Sequence, residues 1–218
     1  TDRLVEDGGK EFYVDEEGKK FDGTKYLDGI QYYFSYGEKV KGEFNYPYRG
    51  DHYYDKETGA LVTGKYFEHK NNWYYANSKG NILTGRRVID GKHVYFYDDD
   101  YGQYKGIQAK DKLIILGGKT YYYLPGSGNR ADNVTLTINH VTYYFDNNGN
   151  KLMGWQDING ERYYFKKERE HPGFETIDGK LYYFTDSARM LHDEFVEENG
   201  QTYYLGSDGV RVSGLQDI

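Results

Sequence analysis

The 218-residue sequence sets 28 Lys and Arg against 35 Asp and Glu, a net charge of −7 that opposes binding to phosphate backbones and argues against a nucleic-acid partner. Mean hydropathy is −0.94, and no apolar run approaches the roughly 20 residues needed to span a bilayer, so no membrane insertion is expected. Cysteine is absent, which excludes a disulfide framework and a thiolate metal site and fits export from a bacterium that does not rely on disulfides, while 27 tyrosines make the apolar material aromatic.

In chain order, short aromatic or β-branched pairs recur at a period of about 21: Phe12-Tyr13, Tyr32-Tyr33, Tyr53-Tyr54, Tyr74-Tyr75, Val94-Tyr95, Tyr121-Tyr122, Tyr143-Tyr144, Tyr163-Tyr164, Tyr182-Tyr183 and Tyr203-Tyr204. Only the step from Tyr95 to Tyr122 is out of register. A fixed period of this length marks a stacked array in which no unit buries its apolar face alone. Ahead of most pairs stands a turn dipeptide: Asp28-Gly29, Arg49-Gly50, Asp90-Gly91, Gly117-Gly118, Asn159-Gly160, Asp178-Gly179 and Asn199-Gly200. Asn-Gly and Asp-Gly supply the positive φ angles of two-residue type I′ turns, so each predicts the tip of a β-hairpin. Behind the pairs come spaced glycines, such as Gly18 and Gly23, Gly80 and Gly85, or Gly149 and Gly154, which predict where one hairpin closes and the next opens.

Strand alternation places Tyr32 with Phe34 and Gln31 with Tyr33. The first set, repeated as Tyr121 with Tyr123, Tyr143 with Phe145, Tyr163 with Phe165, Tyr182 with Phe184 and Tyr203 with Leu205, predicts the core. The second tyrosine of nearly every pair is thereby expected on the wetter face. No stretch has helical periodicity, and an isolated hairpin is marginal in water. The fold class expected is all-β, a β-solenoid of stacked hairpins built from about ten repeats, with residues 1–218 forming a single elongated module. Irregular insertions are expected near 107–118 and 125–134. Within the first, Leu113-Ile114-Ile115-Leu116 reads either as an inserted strand or as a degenerate repeat. The chain begins partway through a repeat and stops where another copy would start, as expected of an excerpt from a longer polypeptide.

Ionisable groups are spread evenly rather than gathered, so no catalytic residue, metal site or cofactor is expected. The six histidines never take metal-ligand spacing and read as turn or surface residues. Asp98-Asp99-Asp100 reads as solvated loop acids. Asp146-Asn147-Asn148-Gly149-Asn150 fails as an EF-hand loop, because its glycine stands at the fourth position rather than the sixth. What remains is the row of second tyrosines, among them Tyr95, Tyr144 and Tyr204. A sugar ring stacks its C–H face on an aromatic plane while its hydroxyls take hydrogen bonds from amides and ammonium groups.

Units such as Ile158-Asn159-Gly160-Glu161-Arg162-Tyr163-Tyr164-Phe165, Ile177-Asp178-Gly179-Lys180-Leu181-Tyr182-Tyr183-Phe184 and Phe145-Asp146-Asn147-Asn148-Gly149-Asn150-Lys151-Leu152-Met153-Gly154-Trp155 resemble cell-wall-binding repeats. Among these, the pattern is most similar to the glucan-binding repeats of glucansucrases and glucan-binding proteins. The resemblance implies a hairpin β-solenoid with shallow pockets between neighbours, each a tyrosine platform with glutamine and lysine partners. Carried onto this sequence, it implies carbohydrate-binding sites at Tyr33 with Gln31 and Lys41, at Tyr164 with Gln156, and at Tyr183 with Lys180, with Tyr75 beside Trp73 as an aromatic-rich variant. Choline-binding relatives use tryptophan, and here only Trp155 and Trp73 occupy those places. Val94, Arg162, Leu181 and Asp193 depart from the pattern, so some repeats are expected to lack a working pocket.

The function expected is a non-catalytic module that holds α-glucan multivalently, acts as a monomer outside a Gram-positive cell and is attached to a glucansucrase. Choline-dependent attachment to teichoic acid and a structural spacer are the alternatives.

Overall fold

Positive φ at both residues of a two-residue tip defines the unit from which the protein is built. In the computed structural model, which describes residues 3–45, 51–98, 105–166 and 172–213, Asp28 and Gly29 adopt φ of 50° and 78°, and Asn159 and Gly160 adopt 53° and 84°. The six tips predicted within the described residues all form; Arg49-Gly50 lies outside them. Three more tips were not predicted, at Gly8-Gly9, Lys70-Asn71 and Asn139-His140. Lys70 and His140 sit at φ of 49° and 65°, where cross-strand pairing offsets a local cost of about 1 kcal/mol.

The strands in chain order are β1 (Arg3–Asp7), β2 (Lys10–Val14), β3 (Gly23–Leu27), β4 (Ile30–Ser35), β5 (Glu38–Lys39), β6 (Lys65–His69), β7 (Asn72–Ala76), β8 (Gly85–Ile89), β9 (Lys92–Phe96) and β10 (Lys112–Leu116). They continue as β11 (Lys119–Tyr123), β12 (Val134–Ile138), β13 (Val141–Phe145), β14 (Lys151–Leu152), β15 (Gly154–Ile158), β16 (Glu161–Phe165), β17 (Gly173–Ile177), β18 (Lys180–Phe184), β19 (Glu194–Glu198) and β20 (Gln201–Leu205). Apart from the short β5 and β14, they form nine antiparallel hairpins among the described residues. Those residues contain no helix long and apolar enough to cross a membrane.

Two compact units result, Thr1–Asp111 with Tyr123–Asn129 and Lys112–Tyr122 with Arg130–Ile218. In the first, β1, β2, β5, β4 and β3 make one five-stranded sheet. Within each unit the closing segment of one repeat bonds back to the preceding hairpin. Leu61 N–H donates to the Gln31 carbonyl at 2.9 Å and Gln108 N–H to that of Trp73 at 2.7 Å; in the second unit Met190 donates to Arg162 at 2.8 Å and Arg211 to Leu181 at 2.7 Å.

The core follows one position more sharply than the alternation predicts. The residue after most pairs is sealed: Phe34, Ala76, Phe96, Tyr123, Phe145, Phe165, Phe184 and Leu205 are between 0% and 4% exposed, while Val14 is half-buried. The first member is buried in some repeats, such as Tyr74, Val94 and Tyr121, and half-buried at Tyr32, Tyr163, Tyr182 and Tyr203. Except at Tyr204, which is 39% exposed, the second member does not face water as expected. Its ring packs on the sealed residue of the following hairpin, as in Tyr122 on Phe145, Tyr144 on Phe165 and Tyr164 on Phe184, with centroids 5.9 to 6.1 Å apart. Stacking of hairpins thus uses the face that a single two-sided strand would leave to solvent.

The repeat at Tyr53-Tyr54 is displaced by one residue from the predicted alignment. Val62 N–H donates to the Tyr53 carbonyl as Leu83 does to Tyr75, and Tyr54 pairs with Leu61 as Ala76 pairs with Ile82. Tyr54 therefore fills the sealed position, at 1% exposure. The Leu113-Ile114-Ile115-Leu116 run lies in β10, which pairs with β11 like any other hairpin, so the strand belongs to the repeat. Residues 125–134 hold a turn in which Gly128 N–H donates to the Leu124 carbonyl at 3.0 Å, then lead into β12. His69 is not a surface residue: its imidazole packs edge-on against Phe44 and Tyr53 at 5.2 and 5.4 Å, and burial lowers its pKa. His171, Asp99 and Asp100 lie outside the described residues.

Candidate carbohydrate-binding surface

Hairpin register decides which side chains meet. In β3 and β4, Thr24 stands opposite Tyr33 and Tyr26 opposite Gln31, so these four share one face. Tyr54 of the next repeat inserts against it, stacked on Tyr33 with centroids 5.9 Å apart and 27° between the rings. The Gln31 amide joins the group, because its Nε2 donates to the Tyr54 hydroxyl at 3.2 Å while its Oε1 accepts from the Tyr26 hydroxyl at 2.7 Å. Burial pushes the Tyr54 phenol above its usual pKa, against the hydrogen bonds from Gln31 and Thr24. Tyr26 is 64% exposed and forms the open rim of this cluster. Lys41 is not brought to it. Its ammonium lies 2.5 Å from Glu11 on β2, with Lys39 at 3.3 Å from the same carboxylate, and the Lys41 hydrogen bond holds Glu11 below its ordinary pKa.

The β6–β7 hairpin places Tyr66 opposite Tyr75 and Glu68 opposite Trp73. Tyr66 meets Tyr75 edge-on at 4.8 Å, and Trp73 is 38% exposed with the Lys110 ammonium 4.6 Å from its ring centre. Desolvation lowers the Lys110 pKa against the pull of Glu68. A shallow groove beside them is lined by Tyr53, Asp55, Lys65, Tyr66, Glu68 and Lys70.

The remaining predicted positions divide. Tyr95 is 5% exposed, and its hydroxyl donates to Asp98 at 2.8 Å; burial first, then this bond, pushes its pKa up to about 12. Its ring offers no face to a ligand. Tyr144 is half-buried, and its hydroxyl donates to Asn133 at 3.1 Å. Gln156 stands opposite Tyr163, on the other face from Tyr164, and donates to the Met153 carbonyl at 3.0 Å; the partner of Tyr164 is Trp155, 5.0 Å away. Lys180 likewise falls on the opposite face from Tyr183, 3.9 Å from Asp208, while Tyr183 meets Phe174 at 5.0 Å. Tyr204 is 39% exposed beside Phe195 at 4.9 Å.

Tyr26, Tyr66, Phe174 and Phe195 were thus missed. Counting backwards from the tips at Asp28-Gly29, Asp178-Gly179 and Asn199-Gly200 gives Tyr26, Phe174 and Phe195 cross-strand partners among the candidate residues, a signal that was available, whereas Tyr66 lies behind the unpredicted tip at Lys70-Asn71. Among the described residues no group of three or more His, Asp or Glu could hold a metal ion. At Asp146 one carboxylate oxygen accepts the N–H groups of Asn148 and Asn150, both at 2.8 Å, so the turn itself consumes that acid.

The Choline-binding repeat family model matches residues 83–134, 135–171 and 172–214, and a cell wall binding repeat model matches 65–82. Glucosyltransferase-S of Streptococcus mutans serotype c is 35% identical over 94% of this chain, which spans 14% of that relative's length. In solved structures, CbpJ from Streptococcus pneumoniae superposes with a TM-score of 0.60 at 20% identity, covering 97% of this chain and 94% of the other. Choline binding protein F from the same species gives 0.60 at 22% identity, covering 93% and 61%. At these identities the structural likeness establishes the fold. The chain belongs to the choline-binding repeat family of cell wall binding repeats, and nearly its whole length is homologous to part of a streptococcal glucosyltransferase.

Proposed function

We propose that the protein is a non-catalytic carbohydrate-binding module whose hairpins continue as one solenoid and hold α-glucan of the dextran type outside a Gram-positive cell, next to a glucansucrase domain. The observation that carries this reading is the cluster of Tyr26, Gln31, Tyr33 and Tyr54, in which an amide is fixed between two phenols beside an exposed ring. Such a surface offers a flat apolar plane together with donors and acceptors for sugar hydroxyls. Homology with a glucosyltransferase directs the choice of sugar.

A single shallow site of this kind binds at about millimolar strength, roughly −4 kcal/mol. Several sites on one polymer raise avidity by about 10² to 10⁴ with no new type of contact. Trp73 with Tyr75, Trp155 with Tyr164, Phe174 with Tyr183 and Phe195 with Tyr204 are the further aromatic pairs available for such contacts. Affinity electrophoresis through gels containing dextran tests the reading: retardation is expected for the native chain, and less of it for Gln31→Ala and Tyr26→Ala. Unchanged mobility of the native chain contradicts it.

The match of residues 83–214 to choline-binding repeats favours a second reading, anchoring to a choline-bearing wall polymer. Elution from a choline-like resin by free choline tests that alternative.

A further inference from the structure

Two aromatic clusters of the second unit already carry a cation over a ring face. Trp155 on β15 has Tyr164 across its hairpin at 5.0 Å and Tyr182 of the next hairpin edge-on at 5.1 Å. The guanidinium carbon of Arg162 lies 4.7 Å from the centre of the Trp155 ring. Its cross-strand partner Asp157 stands 3.8 Å from Arg162 Nε. The following cluster repeats the arrangement: Phe174 meets Tyr183 and Tyr203 nearly perpendicularly, both at 5.0 Å, and the Arg211 guanidinium is 5.8 Å from Phe174 and 5.4 Å from Tyr203.

The two arginines arrive by different routes. Arg162 belongs to β16 of the same hairpin as Trp155, whereas Arg211 follows β20 and is anchored through its N–H to the Leu181 carbonyl at 2.7 Å. Different places in the repeat therefore deliver the same group to the same kind of cluster. Trp73, carrying Lys110 at 4.6 Å, extends the pattern to the first unit, so both tryptophans of the chain bear one of its own basic side chains.

Converging aromatic rings attract cations through their quadrupoles, and a quaternary ammonium is a ligand that such clusters suit well. A tethered cation competes at an effective concentration of about millimolar or more, which matches the weak affinity of a single site. We propose that Arg162, whose side chain is still 52% exposed, and Arg211 are specificity-determining residues that stand over the rings of these clusters and exclude quaternary ammonium ligands of the choline class. The inference does not rest on glucan binding.

Equilibrium dialysis of the whole chain against labelled choline at millimolar concentration tests it, with thermal unfolding recorded for each variant. The native chain and Arg162→Lys, which keeps the charge, are expected to bind none. Arg162→Ser is expected to gain one equivalent and the double Arg162→Ser, Arg211→Ser variant two. If Arg162→Ser does not fold, Arg211→Ser decides, with one equivalent gained. Choline binding by the native chain as strong as by the variants, or no gain in any folded serine variant, overturns the proposal.

Discussion

Tyr33 and Tyr54, one repeat apart, lie stacked at 5.9 Å, and a single amide, that of Gln31, ties the hydroxyl of Tyr54 to that of Tyr26. The contact that joins consecutive hairpins also builds the candidate binding surface. Ring area spent on stacking is unavailable to a ligand, so a binding face survives where a first-strand residue such as Tyr26 stays open.

Removing the Tyr54 hydroxyl leaves the ring stack in place and takes an acceptor from Gln31 Nε2. Tyr54→Phe is expected to lower stability by about 1 kcal/mol. Urea denaturation measures it through a shift in midpoint at unchanged slope.

Lys41 separates the pocket expected from the sequence from the cluster of Tyr26, Gln31, Tyr33 and Tyr54, which keeps Gln31 and leaves Lys41 out. Since Lys41 is paired with Glu11, Lys41→Ala is expected to leave dextran retardation as it is, whereas Gln31→Ala weakens it. Equal losses from the two variants would restore lysine to the binding surface.

Gly80 has φ of 82°, and a Cβ placed on it would stand 2.7 Å from Leu61 Cδ2. Both the backbone and the close approach penalise a side chain there, so Gly80→Ala is expected to cost about 2 kcal/mol or more. Gly29 also has positive φ, at 78°, but meets nothing within 4 Å, and Gly29→Ala is expected to cost less. Parallel thermal melts of the two variants provide the comparison.

Alkaline titration reads the buried phenols. The Tyr95 pKa rises from 10.0 to about 12 in the folded chain, chiefly through burial and then through its bond to Asp98. A raised folded value means that the folded state holds the proton more tightly, so this stability is complete below pH 10, declines above it and is gone once pH passes about 12. Tyrosinate absorbance is expected to show a late step accompanied by unfolding. Tyr95→Phe should diminish that step.

Much of the fold could be read because the signals were local. Asp28-Gly29 and Asn159-Gly160 demand positive φ by their own chemistry, and the hairpins follow from them. Lys70-Asn71 and Asn139-His140 were invisible for the converse reason: their residues tolerate that conformation without favouring it, and strand pairing imposes it. The displacement at Tyr54 also escaped notice, because two adjacent tyrosines disguise a shift of one residue that only the bonds to Leu61 and Val62 reveal.

The candidate site was less legible. Pairing Tyr164 with Gln156 and Tyr183 with Lys180 ignored hairpin register, which sends those polar side chains to the opposite face. Tyr95 looked like its counterparts until its contacts with Tyr97, Tyr123 and Asp98 closed around it. Tyr97 and Asp98 are local, but Tyr123 comes from more than 20 residues along the chain, beyond what one repeat encodes.

Calorimetric titration with isomalto-oligosaccharides of increasing length, ending in dextran, bears most directly on multivalent α-glucan binding. Affinity is expected to begin near millimolar for short chains and to rise steeply once one chain reaches adjacent sites. No heat of binding with any length, or an affinity independent of length, would contradict the account.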